Sequence, residues 1–404
     1  MSMMAWCLVA FATIHAAPGM SSCRQDFFQA ETVDSAVAIG YGVALGDVDG
    51  DGKPDILLAD QKQFVWYQNP GWTRHVMVEN LTGHDNVCIA ARDIDGDGKV
   101  EVAVGAEWNP DDTENSGSVH YLLPQDDRTL PWKPIELTHE PVIHRMRWVR
   151  TAADQFMLVV APLHGRGNKN GNGHGVRLLA YKRPANPEFD PWKATLLDDQ
   201  FHITHNFDVG QWDATDPNSE PEEVAWLGKE GAILIAHEGG ELKKRLLPVI
   251  EGGGEIRMGR LEDNGRFLAT VEPFHGDKLV VYEYPAPTDE SRPARKVVNP
   301  NLSQGHALAT GDFLNRGYDQ IVVGWRNPNA AGQVGIMIYW KGELAGEHAD
   351  PIGKPAEWTG AWVDENKIAC EDLQVADLDG DGNPDIVASG RSTHNLKIYW
   401  NRDK

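Results

Sequence analysis

The sequence lacks several features that would point to common classes of protein. Its four cysteines are too few for a disulfide framework in a chain of 404 residues, and Cys88 and Cys370 are most simply interpreted as buried thiols. Lys and Arg number 37 against 60 Asp and Glu, and the net charge of −23 argues against nucleic acid or an anionic membrane as partner. Helical periodicity is absent, whereas 41 Gly and 24 Pro suit short strands and tight turns.

Apolar runs are short everywhere except near the N-terminus. Residues 1–23 contain an apolar segment followed by small residues, which is typical of an export signal and its cleavage region, although no Lys or Arg precedes it. A misplaced start site is the alternative, and anchoring through Cys23 is less favoured. No later segment is apolar enough to cross a bilayer. We therefore expect an exported protein, periplasmic or extracellular, without an integral membrane segment.

One acidic motif is present three times. DVDGDGKPD at 47–55, DIDGDGKVE at 93–101 and DLDGDGNPD at 377–385 each lie between two apolar stretches. Weaker copies follow the same order of strand, turn and strand, and the first residues of all copies fall near positions 47, 93, 150, 211, 261, 312 and 377. A motif that recurs at intervals of this length indicates a repeat architecture of seven units.

Each unit has the pattern of four short strands. A strand of small residues precedes the acidic turn, an apolar strand follows it, a third strand is rich in Tyr and Trp (FVWYQNP, IMIYWK, LKIYWN), and a fourth alternates. The last unit ends after its third strand, while DFFQAETVD at 26–34 resembles an isolated fourth strand. We therefore predict an all-β fold: a seven-bladed β-propeller of four-stranded antiparallel blades, a single domain over residues 24–404, closed by an N-terminal strand that completes the last blade.

The acidic motif has the spacing of a calcium loop. Carboxylates at positions 1, 3, 5 and 9 can surround a hard cation, and Gly at 4 and 6 permits the tight curl. The expected ligands are Asp47, Asp49, Asp51 and Asp55; Asp93, Asp95, Asp97 and Glu101; and Asp377, Asp379, Asp381 and Asp385. We expect Ca²⁺, with Mg²⁺ as an alternative, in a structural role; an Asp-Gly hairpin turn without metal is the simpler interpretation.

In its strand context the motif identifies a resemblance. The stretch ALGDVDGDGKPDILLAD resembles the FG-GAP or VCBS-type repeat of seven-bladed propellers. That resemblance implies the fold but leaves the function open, because such propellers include adhesins, scaffolds and enzymes.

The end of each first strand opposite the acidic turn should face the mouth of the channel. Six residues before each motif stand Tyr41, Val87, His144, His205, Glu255, His306 and Glu371. Loops on the same face add Glu107, Trp108, His164, Arg166, His174, His275, Arg326, Arg391 and His394, with His84 nearby. Imidazoles and carboxylates converging on one rim favour a Zn²⁺ or other transition-metal site, or acid–base chemistry. For any one His, a hydrogen-bonded surface residue is the simpler interpretation.

A second resemblance concerns function. EPVIHRMRW (140–148), VVAPLHGRGNKNGNGHGVRLLAY (159–181) and HITHNFDVGQW (202–212) resemble the propeller domain of fungal aldos-2-ulose dehydratases, which remove water from keto-sugars. The two cupin-like domains of those proteins are not part of the resemblance. It implies β-elimination, with His144, His205 and His306 as base, acid or metal ligands. Glu255 and Glu371 would be liganding or orienting carboxylates, and Tyr41 would complete the catalytic set.

Two functional hypotheses follow. The first, which we favour, is a carbohydrate lyase or dehydratase, a carbon–oxygen lyase acting on a keto-sugar or keto-glycoside. Its substrate contacts would be His84, Trp108, His164, Arg166, His174 and Arg326. The second is a non-catalytic propeller that binds glycans or proteins on the same rim. A hydrolase is a third and less favoured option. In each case we expect a small carbohydrate partner and a monomer or small homo-oligomer.

Overall fold

A computed structural model describes residues 27–212, 221–238, 241–247, 250–262, 265–284, 293–342 and 358–402. The predicted export signal at 1–23 lies outside these ranges. Within them, no helix is long and apolar enough to cross a membrane.

The described chain forms seven four-stranded antiparallel sheets. One strand, β1 (Phe28–Asp34), precedes the first complete blade. Blades 1 to 3 are β2 (Gly42–Gly46), β3 (Asp55–Ala59), β4 (Gln63–Gln68) and β5 (Thr73–Glu79); β6 (Cys88–Arg92), β7 (Glu101–Ala106), β8 (Ser118–Leu123) and β9 (Lys133–Leu137); and β10 (Ile143–Ala152), β11 (Gln155–Pro162), β12 (Leu178–Lys182) and β13 (Lys193–Asp198).

The remaining blades have the same order. Blades 4 and 5 are β14 (Thr204–Gly210), β15 (Glu223–Gly228), β16 (Gly231–Glu238) and β17 (Glu241–Leu247); and β18 (Glu255–Arg260), β19 (Arg266–Glu272), β20 (Lys278–Tyr284) and β21 (Ala294–Asn299). Blades 6 and 7 are β22 (Gly305–Gly311), β23 (Gln320–Trp325), β24 (Gly335–Lys341) and β25 (Trp358–Glu365); and β26 (Cys370–Ala376), β27 (Asp385–Gly390) and β28 (Asn395–Asn401).

The N-terminal strand completes blade 7. Strand β1 pairs antiparallel with β28, so that Phe28 lies opposite Asn401 and Thr32 opposite Lys397. The first and last strands of the described chain thus share one sheet, and no blade is left with three strands. The predicted fold class and closure are confirmed.

The core is divided among the interfaces between blades. Seven hydrophobic clusters of described residues each join two adjacent blades, including the interface of blades 7 and 1. The third strands supply many of their aromatic residues, such as Trp66 in β4, and Trp226 comes from the second strand of blade 4; both rings are fully buried. Removing such a ring costs about 3–5 kcal/mol. Cys88 and Cys370 are buried free thiols within these clusters, as the sequence predicts.

The acidic turns connect neighbouring blades. The side chain of Asn69, which follows β4, donates to the carbonyl of Leu378 in the turn of blade 7 at 2.8 Å. Asn401 donates in the same way to Phe313 in the turn of blade 6, also at 2.8 Å. The turns therefore stabilise one end of the ring. The histidines predicted from the sequence lie at the opposite end of the inner strands.

Candidate functional site

Irregular starts of four inner strands place polar side chains at the channel mouth. The pairing register shifts across His144 in blade 3, His306 in blade 6 and Glu371 in blade 7. In blade 4, His205 lies in a similar shift between Thr204 and Phe207. A β-bulge gives one strand an extra residue and redirects its side chain, which is a common arrangement beside active sites.

His205 is the centre of a buried hydrogen-bonded group. Its Nδ1 lies 2.8 Å from Oε1 of Glu255, and its Nε2 lies 3.1 Å from Nε2 of His306. The other carboxylate oxygen of Glu255 accepts from Asn206 at 2.8 Å. His306 donates through Nδ1 to the carbonyl of Glu371 at 2.6 Å. Each imidazole therefore has an oxygen acceptor at Nδ1, which fixes the orientation of its ring.

A third imidazole completes a candidate metal centre. One ligand atom each from His205, His275 and His306 lies within 4.8 Å of the others. His275 has a φ of 47°, a backbone conformation uncommon outside glycine, and its Nε2 is buried without a hydrogen-bond partner. It lies in the loop between β19 and β20, whose backbone approaches the start of β18 closely, since a Cβ atom at Gly254 would lie 3.2 Å from the backbone nitrogen of His275.

The protonation of these imidazoles suits metal binding. Burial is the largest cause that lowers the pKa of His205 and His306 well below the usual value, and it lowers the pKa of His275 to about 3. Burial also raises the pKa of Glu255 to about 7. When Glu255 carries a proton, His205 can donate through Nε2 to His306. When Glu255 is ionised, it accepts from Nδ1 of His205, and both Nε2 atoms present lone pairs that a metal ion can join.

His144 stands beside this group rather than in it. Its Nδ1 donates to the carbonyl of His205 at 2.9 Å, and its Nε2 lies 3.5 Å from Nη1 of Arg145. The ring centroid of Trp108 is 5.0 Å away. Burial, followed by the charge of Arg145, holds the pKa of His144 well below its usual value. His144 is therefore a neutral imidazole with a lone pair on Nε2.

Glu371 is the acidic residue of the cavity wall, and its Oε1 lies 4.0 Å from Nε2 of His306. Arg391 donates to its Oε1 at 2.7 Å, and Arg326 donates to both of its oxygens at 3.1 and 3.2 Å. Tyr41 lies under Arg391, whose guanidinium carbon is 5.2 Å from the ring centroid, and its hydroxyl donates to Asp85 at 3.1 Å. Burial, with Asp85 next, raises the pKa of Tyr41 to about 12, so its hydroxyl keeps its proton at neutral pH.

These residues enclose a cavity of about 230 Å³ at the mouth of the channel. Its wall consists of Tyr41, Val87, Trp108, Pro110, His144, Arg145, Leu163, His275, His306, Arg326, Glu371 and Arg391. Five of the seven residues counted from the acidic motifs are in this wall, and His205 and Glu255 are joined to it through His306. The predicted substrate contacts Trp108 and Arg326 also line it.

The other predicted substrate contacts lie outside this wall. His84 is exposed, with Nδ1 2.6 Å from Oε1 of Glu107. Arg166 donates to the carbonyl of Glu114 at 2.7 Å, His174 is exposed, and His164 pairs with Ile203 in an isolated bridge. Their places on the rim remain a prediction for a ligand larger than the cavity.

The acidic turns at the far end each gather three carboxylates. The groups are Asp47, Asp49 and Asp55; Asp93, Asp95 and Glu101; and Asp377, Asp379 and Asp385. The carboxylate at position 5 accepts from the backbone two residues on instead, as Asp51 does from Lys53 at 2.9 Å. Blade 6 shows how the site is lost, because Gln320 replaces the position 9 carboxylate and accepts from Leu314 at 2.8 Å.

Counting from the motifs found the ring but omitted two features. The motif count predicts His275 only as a rim residue and not as a catalytic one, because it comes from a loop of variable length. It does not predict Arg145, because strict alternation would not direct two successive residues to the channel. The available signal was the polar pair at a strand start, His144-Arg145, His205-Asn206 and Glu371-Asp372, which breaks the apolar pattern.

Residues 40–104 match the family described as FG-GAP-like repeat. The described chain is therefore a seven-bladed β-propeller, and the part that matches this family spans blade 1 and the first strands of blade 2.

A curated relative supports the narrower resemblance. The chain is 21% identical over 274 residues to aldos-2-ulose dehydratase of Phanerodontia chrysosporium. The match covers 64% of this chain but only 29% of that protein.

Among solved structures, two crystal structures of BBS1N in complex with ARL6DN, one soaked with mercury and one with lead, match with TM-scores of 0.50 and identities of 16% and 15%. They cover 93% of this chain and 96% and 97% of their own. At this identity they show the fold alone.

Proposed function

We propose that the cavity is the active site of a carbon–oxygen lyase that performs β-elimination on a keto-sugar or keto-glycoside. The observation that carries this proposal is the convergence of His205, His275 and His306 beside an enclosed cavity that also presents a neutral imidazole and a protonated phenol. The similarity to part of a dehydratase supports the same class of reaction. The whole activity of that relative extends well beyond the region that matches here.

His205, His275 and His306 would hold a transition metal, for which Zn²⁺ is the first candidate. Their neutral nitrogens are suitable ligands, and Glu255 and the carbonyl of Glu371 provide the outer hydrogen bonds that orient such ligands. A divalent metal bound there would act as a Lewis acid toward a carbonyl oxygen.

His144 is our candidate for the base. Its Nδ1–H is committed to the carbonyl of His205, so the lone pair is on Nε2, which lies 3.5 Å from Nη1 of Arg145. Nε2 would take the proton from the carbon next to the ketone in place of that long contact. The charge left on the enolate oxygen is opposed by the guanidinium groups of Arg145 and Arg326 in the same wall.

Tyr41 is our candidate for the acid. Its high pKa keeps the proton on the hydroxyl until a leaving oxygen acquires charge, and that proton then departs with the leaving hydroxyl or alkoxide as water or alcohol. The carbon–oxygen bond breaks as the carbon–carbon double bond forms. Trp108 offers a flat face against which a sugar ring can stack.

We further propose that the three acidic turns bind Ca²⁺, with Mg²⁺ as the alternative, in a structural role. Each gathers hard oxygen ligands in one turn beside an interface between blades. Export to the periplasm or the extracellular space, where calcium would be abundant, is part of the same proposal.

The test is to incubate the full chain with 1,5-anhydrofructose and with keto-glycosides while recording the ultraviolet absorbance of an enone product. We expect turnover that falls about 10²–10⁴-fold in His144→Gln. Elemental analysis should show a transition metal that His306→Gln loses and His144→Gln retains. His139→Gln, on a partly exposed imidazole that is neither in the cavity wall nor among the predicted substrate contacts, is the matched control.

Saturable sugar binding without an enone from any keto-sugar would contradict the lyase and favour the binding propeller. A transition metal retained in His306→Gln would remove the proposed metal centre. Calcium alone in the purified protein would do the same and leave the acidic turns as the sole metal sites.

A further inference from the structure

The charge of the cavity wall is opposite to that of the chain. The whole sequence carries −23, but the ionisable side chains of the wall other than His and Tyr are three arginines and one glutamate, Arg145, Arg326, Arg391 and Glu371. With every imidazole neutral, three positive charges and one negative charge remain, an excess of two. A small, low-dielectric cavity strengthens the field of such an excess, so its ligand should carry negative charge.

Glu371 does not neutralise all three arginines. Arg326 and Arg391 both donate to its carboxylate, each through Nη1. Arg326 uses Nε for Gln304 at 2.9 Å. One carboxylate therefore supports two guanidinium groups that both face the cavity, and further donors remain on each.

The positive charge of Arg145 is less compensated than those of the other two arginines. It is 7% exposed, and its hydrogen bonds run from Nη1 to the carbonyl of His144 at 3.0 Å and to Nε2 of the same residue at 3.5 Å. Its Nε and Nη2 are buried without a partner, and none of the ion pairs among the described residues includes it. The carboxylates that interact with it electrostatically, Asp372 and Glu255, lie beyond ion-pair distance. Two N–H groups of a buried cation are therefore left without an acceptor, which is unfavourable.

The geometry of Arg145 favours a planar anion. Its Nε–H and one Nη2–H lie on the same edge of the guanidinium, where they form a fork that matches the two oxygens of a carboxylate. Arg145 also lines a second cavity of about 430 Å³, so its side chain borders both spaces. An anion bound at the floor of the mouth cavity would pair with the least compensated charge of the site.

The size of the cavity restricts the rest of the ligand. At about 230 Å³ it lies below the range of about 300–1,000 Å³ that is usual for drug-sized ligands. Trp108 and Tyr41 add two flat faces to its wall. A single sugar ring with one charged group fits this combination better than an oligosaccharide.

We propose that the ligand of this site is a sugar acid, a monosaccharide whose carboxylate binds the guanidinium cluster of Arg145, Arg326 and Arg391. This inference rests on the proposed function for the placement of a sugar in the cavity. It narrows the substrate class from keto-sugars and keto-glycosides in general to those that carry a carboxylate.

The experiment measures binding rather than turnover, by titration calorimetry on the full chain. The probes are D-glucuronate, D-glucose and D-glucose 6-phosphate. We expect glucuronate to bind at least about tenfold more tightly than glucose, which corresponds to about 1.4 kcal/mol. Raising the ionic strength from about 0.05 to 0.5 M should weaken glucuronate binding and leave glucose nearly unchanged.

Charge-removing variants locate the effect. Arg145→Gln and Arg391→Gln should each bring the glucuronate-to-glucose affinity ratio toward one. Arg391 is more exposed, so its variant keeps the test available if Arg145→Gln does not fold. Arg74→Gln, which removes an arginine on the outer strand β5, is the matched control and should keep the ratio.

Equal binding of glucuronate and glucose would overturn the inference, and so would tighter binding of the phosphate ester. An unchanged ratio in both arginine variants would overturn it as well. Because binding is measured apart from turnover, the two proposals can fail separately. If the protein prefers glucuronate through these arginines but forms no enone, only the lyase proposal is contradicted. If it eliminates water or alcohol from neutral keto-sugars and shows no preference for glucuronate, only the sugar-acid proposal is contradicted.

Discussion

The two ends of the inner strands gather their polar groups in different ways. Each acidic turn takes its three carboxylates from nine consecutive residues of one blade, as Asp47, Asp49 and Asp55 show. The histidine cluster takes each member from a separate blade, and His205 and His306 are 101 residues apart in sequence. In each acidic turn one carboxylate is buried and the other two are at least partly exposed, whereas His205, Glu255 and His306 are all buried.

This difference explains why one kind of site is repeated and the other is single. A site built within one hairpin can be present in some blades and absent from others, and in blade 6 Gln320 occupies the position of the buried carboxylate. A site built from several blades forms only when the ring closes, and each blade can contribute a different residue. Stability should therefore depend mainly on the acidic end, and ligand chemistry on the histidine end.

The largest effect on stability should come from Asp55→Ala. The side chain is buried and accepts the backbone N–H groups of Val48 and Asn69, each at 2.8 Å. Each donor left unpaired costs about 1–3 kcal/mol, so we expect the free energy of unfolding to fall by about 2–6 kcal/mol. The measurement is denaturant unfolding in excess chelator, which separates this contribution from metal binding.

Asp51→Ala is the control for that experiment. Asp51 lies in the same turn but is exposed and accepts only from the nearby backbone of Lys53. Its loss should cost less than about 1 kcal/mol in chelator. Equal losses in the two variants would show that the buried carboxylate does not support the blade.

The next largest effect should be on metal binding at the histidine end of the inner strands, in Glu255→Gln. The carboxylate orients His205, and loss of such a partner typically lowers metal affinity about 10–100-fold. We expect that loss for a transition metal, measured by competition with a chromogenic chelator, while the calcium content of the acidic turns stays unchanged.

Glu107→Gln sharpens this comparison, because Glu107 makes a similar contact with His84 at 2.6 Å on the exposed rim. It should leave transition-metal affinity unchanged. Weaker binding in Glu107→Gln, or normal binding in Glu255→Gln, would contradict the assignment of His205, His275 and His306 as the metal centre.

The difference between sites within one hairpin and sites shared by several blades also determines what the sequence could predict. Hairpin motifs carry their own spacing, so DVDGDGKPD supplied the number of blades, the closure by residues 26–34 and the direction of each inner strand. The residues at the mouth followed from that direction. Their mutual contacts did not, because the register shifts at His144 and His306 depend on packing between blades. The position of His275 depends on a loop whose course only the closed ring defines.

The smallest effect should be the pH dependence of the calcium-free protein. Burial raises the pKa of Asp55 and Glu101 to about 7 and that of Asp385 to about 6, above their unfolded values. Between about pH 4 and pH 7 the folded chain then binds more protons than the unfolded chain, so its free energy of unfolding falls as pH rises through that window. We expect a loss on the order of 1 kcal/mol per turn.

Ca²⁺ should replace the bound protons, so its stabilisation of the fold should be larger at pH 7.5 than at pH 5 in thermal melts. Asp55→Asn, which cannot ionise, should flatten the calcium-free profile for its own turn. Calcium stabilisation that is equal at both pH values would contradict the proposal that these carboxylates are the ligands.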